Sequence, residues 1–275
     1  MKKIAKRLAL TGAVALMFTS YQAMAQQATP PAAPAPAAPE PTPEHTFVPK
    51  IALYSEYEYR GISQTSEKPA VQLNLDYSHS SGFYLGTFVS NINWLKDYKK
   101  IGAVADSSPV EIDLYGGYKY EFVKDWTLDV GVLRYEYPGA KGLPGLPKPN
   151  TTELYAGVTY GFFNAKFSYS TGDTFGVPGS KKSTFVELNY AQEVLPKLTI
   201  NAQVAKQTYK GTFQGFNNDA ELTYTVYKAG ASYDLGDGWA AGAYFKGTNA
   251  KEANYTILGK DWSKNRLVGF VSKSF

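Results

Sequence analysis

The chain has no cysteine, only two histidines and, beyond its first twenty-five residues, no apolar run long enough to cross a membrane as a helix. The missing cysteine excludes a disulfide scaffold, a thiol nucleophile and a thiolate-bound metal. It also suits a chain that crosses an oxidising compartment unfolded. The histidines stand far apart, His45 in a proline-rich stretch and His79 beside a tight turn. Catalysis needs a base beside a nucleophile, and a metal site needs clustered ligands. The expectation is therefore no enzyme, and no catalytic, cofactor-binding or metal-binding residues. A surplus of positive charge is also missing. Of 28 basic residues, Lys2, Lys3, Lys6 and Arg7 lie in the leader, leaving 24 against 24 acidic ones. A basic footprint for nucleic acid is absent.

Residues 1–25 read as a secretory signal peptide. Four basic residues are followed by the apolar stretch from Leu8 to Thr19 and by Ala23-Met24-Ala25, a small-residue cleavage site. Residues 26–49 form a Pro/Ala-rich tract with almost nothing to bury, expected to be an extended, disordered periplasmic spacer. Residues 50–275 are rich in tyrosine, phenylalanine and glycine and carry a different pattern.

Twelve segments there are compatible with strands, at about 50–59, 69–79, 83–94, 109–121, 126–137, 151–161, 163–172, 183–193, 198–209, 221–234, 239–248 and 264–275. Several alternate with period two. Val71, Leu73, Leu75 and Tyr77 share one face, and Gln72, Asn74 and Asp76 the other. The connections alternate between tight (such as 80–82 and 161–162) and long (such as 95–108 and 138–150). Short turns at one end and long loops at the other are the plan of an outer-membrane barrel with both termini on the short-turn, periplasmic side. Aromatic residues crowd the short-turn ends, and a smaller set (Tyr59, Trp94, Tyr137, Tyr169 and Tyr209) falls at the loop ends. These predict two interfacial girdles. The expected fold is all-β: a closed antiparallel transmembrane β-barrel of about twelve strands. Closure follows because lipid offers nothing to an unpaired sheet edge.

The last segment, ending Val271-Ser272-Lys273-Ser274-Phe275, resembles the C-terminal signal of bacterial outer-membrane barrels, whose terminal Phe is read by the barrel-assembly machinery. Lys273 departs from the apolar residue usual there. The run Tyr59-Arg60-Gly61-Ile62-Ser63-Gln64, followed by Asp76-Tyr77-Ser78 and Gly82-Phe83-Tyr84, resembles the TorF family of proteobacterial outer-membrane porins, also called Gcw-chp. The likeness in length and strand plan runs from about Ile51 to Phe275. It implies an outer-membrane channel and brings no catalytic residues.

Lumen-facing candidates follow from the alternation: Gln72, Asn74, Asp76, Glu111, Asp113, Lys119, Glu153, Lys166, Glu187, Asn201, Gln203, Lys228 and Lys246. They would either pair across the interior and fill it or line a water-filled pore. Arg60 is the candidate for the channel mouth, its alternative being a pairing with a nearby carboxylate or lipid phosphate. The strands and turns lean acidic, which favours cations. No loop is long enough to suggest a large plug. The expected function is passive or weakly selective diffusion of small polar solutes or ions. The expected partners are outer-membrane lipid and lipopolysaccharide. A structural barrel tethered through its spacer, and less favoured a lipid-modifying enzyme, are the alternatives.

Overall fold

The computed structural model describes residues 43–275; the signal peptide and most of the Pro/Ala tract lie outside the described residues. Twelve antiparallel strands form a closed barrel in which every strand pairs with its neighbours in the chain and the last pairs with the first. They are β1 His45–Tyr54, β2 Ala70–His79, β3 Phe83–Asn91, β4 Val110–Val123, β5 Trp126–Glu136 and β6 Thr151–Tyr160. The second half is β7 Phe163–Ser170, β8 Thr184–Leu195, β9 Leu198–Thr208, β10 Tyr224–Gly236, β11 Trp239–Thr248 and β12 Arg266–Ser274. No helix of the described residues is long and apolar enough to cross a membrane, so any crossing is made by strands.

Eleven strands lie within a few residues of their predicted positions. The first does not: it begins at His45 and ends at Tyr54, so residues assigned to the spacer, Pro49 among them, belong to the sheet. Proline lacks the ladder donor and normally argues against a strand. Here the seam explains it. The β1–β12 ladder runs only from Lys50↔Ser274 to Tyr54↔Phe270, whereas β1 and β2 stay paired as far as His45↔His79. Pro49 thus lies just past the end of β12, where a donor is not required, and its carbonyl accepts from the Phe275 N–H at 3.0 Å.

The alternation sorts the two faces as the sequence predicts. Leu73 and Leu75 stand on the outside beside Ile51 and Thr87, while Gln72 and Asn74 are buried inside. At the short-turn end, Phe83, Tyr120, Trp126, Tyr160, Phe163, Tyr233, Trp239 and Phe275 are exposed on the outer surface and form a girdle. Lys273 lies between the Trp239 and Phe275 rings and donates to the Asp237 carbonyl. Of the five rings read as a second girdle, Tyr169 keeps the outer-face register opposite exposed Leu154, but the other four are misread. Trp94, Tyr137 and Tyr209 are buried, and Tyr59 packs edge-on against Tyr135 and Phe175. These rings fill the barrel mouth; an amphipathic ring serves a lipid interface and a packed vestibule equally well.

Inside the barrel, glycines make room for tyrosines. A Cβ at Gly86 would collide with the Tyr115 ring, one at Gly117 with the Tyr84 hydroxyl, and one at Gly131 with the Tyr155 hydroxyl.

Candidate functional site

The first long connection, residues 55–69, folds into the lumen. Glu58–Tyr59 pairs with Ile62–Ser63 across a two-residue Arg60-Gly61 turn, with φ of 50° and 81°. Both values are positive, as a type I′ hairpin requires. Gly61 also has no room for a side chain, because a Cβ would strike the Thr248 methyl group. The Arg-Gly-Ile-Ser-Gln run is thus the tip and return strand of an inward hairpin.

Arg60 does not stand free at the mouth. Its guanidinium is buried and grips Glu153 on β6 in a fork, Nη2 to Oε2 at 2.7 Å and Nη1 to Oε1 at 3.0 Å. Nη1 also donates to Gln207 Oε1 on β9 at 2.8 Å, and the cation lies 4.2 Å above the Phe185 ring. A planar two-pronged cation matches a carboxylate in this way, and the ring adds a cation–π contact. Of the two readings open for Arg60, pairing with a nearby carboxylate is the one observed. The rest of the hairpin is tied just as widely. Tyr57 donates to Glu111 on β4, and Lys228 on β10 ion-pairs with Glu58. Lys246 on β11 donates to the Gly61 carbonyl at 2.9 Å and to the Trp262 carbonyl at 3.1 Å. Glu58 closes the turn by accepting from the Gly61 N–H at 2.8 Å. A short hairpin therefore does what a long plug would, because its partners come from five strands around the wall.

Above it, the helix Trp94–Lys100, with Leu95 fully buried, covers the mouth. Its first backbone donors, Asn93 and Trp94, reach the Gln64 carbonyl at 2.9 and 3.1 Å. Tyr98 stacks on Trp262, and Trp94 packs edge-on against Tyr137. Between this lid and the hairpin lies a largely apolar vestibule of about 490 Å³, lined among others by Tyr59, Tyr98, Leu143, Phe175, Tyr209 and Trp262.

Other lumen candidates bond along the wall. Asp76 accepts from Tyr115, and Asp129 from Tyr84 at 2.6 Å; Tyr84 and Tyr155 meet hydroxyl to hydroxyl. Lys119 lies 4.7 Å over the Tyr84 ring and Lys166 4.1 Å over the Tyr155 ring. Glu187 accepts from Asn189 at 3.1 Å and Gln203 at 2.8 Å. All thirteen wall candidates are buried or half-buried; Glu111, Glu153, Lys228 and Lys246 hold the hairpin, while Asp76, Lys119 and Lys166 lie nearer the short turns. Among the buried polar atoms with no protein partner, five are on the wall: Gln72 Nε2, Asp113 Oδ1, Asp129 Oδ2, Asn201 Oδ1 and Gln203 Oε1. Buried polar atoms left unbonded by protein are ordinarily satisfied by water.

Sequence reasoning missed Lys50, Asp129 and the lumen tyrosines. Lys50, at the start of the first predicted strand, was not picked as a lumen candidate, yet it is buried in β1 beside the β2 wall. With Lys119 and Lys166 it offsets Asp76 and Asp129, so the acidic bias expected of the interior is largely cancelled here. The histidines also require correction. His45 and His79 are directly opposite one another in the β1–β2 ladder, and Glu44 joins them. The expectation of two separated histidines failed because β1 begins before Pro49.

The model for a bacterial protein family of unknown function, Gcw_chp, matches residues 38–275. The chain belongs to the Gcw_chp family. No curated protein matches it in sequence. Among solved structures, the NanC porin aligns with 84% of this chain and 99% of its own, at 10% identity and a TM-score of 0.50. The KdgM porin in complex with disordered oligogalacturonate aligns over 84% and 99%, at 11% identity and a TM-score of 0.49. An outer membrane channel from Pseudomonas putida F1 aligns over 88% and 100%, at 10% identity and a TM-score of 0.49. At such identities the likeness concerns the fold alone, the closed β-barrel that this Gcw_chp chain shares with the NanC porin.

Proposed function

We propose that this Gcw_chp protein is an outer-membrane channel for passive or weakly selective passage of small polar solutes or ions, with the inward hairpin as its constriction. The buried polar wall atoms left without a protein partner, such as those of Gln72, Asp113 and Asp129, carry this reading, since a barrel built only as a structural post has no need of a wet interior. The apolar outer band and the short-turn girdle suit a bilayer with lipopolysaccharide outside and both termini in the periplasm. Phe275, exposed at the end of the closing strand, suits recognition by the barrel-assembly machinery. Balanced lumen charge supports only a weak ion preference.

One observation favours the alternative of a closed, structural barrel: the Arg60–Glu153 clamp and the helix above it occupy much of the outer half of the lumen. Reversal potentials in a planar bilayer under a salt gradient separate the two. A channel gives a small potential that moves toward anions when Asp76→Asn or Asp129→Asn is introduced. A structural barrel gives no current to measure.

A further inference from the structure

We infer that Glu44, His45 and His79 form a binding site for a divalent transition-metal ion of the zinc class at the short-turn rim of the barrel. Every histidine in the chain is in this one place. The β1–β2 register sets His45 directly across from His79, ring centroids 5.1 Å apart. Glu44 is held there by its own backbone, whose carbonyl accepts from the Ser80 N–H at 2.9 Å. One ligand atom from each of the three residues lies within 4.8 Å of the other two, and Glu44 Oε1 is already 3.4 Å from His79 Nε2. Two imidazoles and a carboxylate are a recurrent set of three zinc ligands, and they leave a fourth position for water or another donor.

The surroundings support the assignment. A metal-bound imidazole usually engages its second nitrogen with a neighbour, which fixes the ring. His45 Nδ1 lies 2.9 Å from the Tyr77 hydroxyl, and His79 Nδ1 lies 2.6 Å from Ser81 Oγ. Both rings are thus held through Nδ1, leaving Nε2 for the ion. In the ion-free ring Nδ1 of His79 also accepts from the Ser81 N–H at 3.1 Å, so loading exchanges the tautomer: the proton leaves Nε2 to solvent, one is taken up from solvent at Nδ1, and Nδ1–H then donates to Ser81 Oγ. The site lies on the outer face of the ladder, in line with Phe47 and Tyr77 two pairs further in, and joins the start of β1 to the β2–β3 turn. It is independent of the channel reading, since none of its residues faces the lumen.

The test is titration calorimetry of the untagged full-length protein, folded in detergent, with zinc chloride. One ion per barrel is expected. His45→Gln and His79→Gln should each weaken binding by at least tenfold, and Tyr77→Phe, which removes only an outer partner, by about tenfold. Retention of the compact, heat-modifiable form on gels establishes that each variant is folded. The assignment is overturned if the wild-type protein takes up no stoichiometric zinc. It is equally overturned if the folded His45→Gln/His79→Gln double variant binds zinc as tightly as the wild type.

Discussion

Glu153 is where the hairpin meets the wall, and its role can be separated from simple packing. Glu153→Gln removes the charge opposite Arg60 while keeping the shape, and leaves a buried guanidinium with only neutral acceptors. Breaking a buried pair from one side typically costs about 3–5 kcal/mol. Urea unfolding in lipid vesicles should show a loss of that order. Replacing both partners, Arg60→Met with Glu153→Leu, should recover much of it, because the desolvation of two charges is then no longer required. A double variant no more stable than Glu153→Gln alone would place the cost elsewhere in the hairpin.

At the scale of elements, the inward hairpin depends on its turn. Gly61→Val forces a β-branched residue into a positive-φ position and drives its Cβ into Thr248. The expected outcome is a barrel that still folds but whose hairpin no longer docks, so that trypsin cuts after Arg60 in intact vesicles while the wild-type chain resists. Equal resistance of the two proteins would mean that the turn does not hold the hairpin in place. This element also shows how far the sequence was legible. Period-two alternation disclosed eleven of twelve strands and the inner face, because lipid outside and polar lumen inside impose opposite demands on successive residues. It could not disclose the hairpin. The partners of Tyr57, Glu58 and Arg60 lie far along the chain on β4, β6 and β10, and local pattern carries no trace of them. The same blindness turned the vestibule rings into a second girdle and left His45 in a spacer, since a proline at the sheet's seam looks like a proline that ends a sheet.

For the molecule as a whole, a channel in the outer membrane needs an outer face that meets lipid and an inner face that meets water. Leu73 stands outward near the middle of β2, so Leu73→Arg should destabilise the barrel by about 2–4 kcal/mol in vesicles. A negligible loss would mean that this face does not contact hydrocarbon. The central claim is that a closed twelve-stranded barrel encloses a wet path narrowed by residues 55–69. Single-channel conductance of the wild-type protein, set beside a variant in which residues 57–64 are replaced by a Gly-Ser linker of equal length, tests it most directly. Small, steady openings in the wild type and severalfold larger ones in the variant are the predicted result. A folded barrel that passes no current in either form would contradict the account.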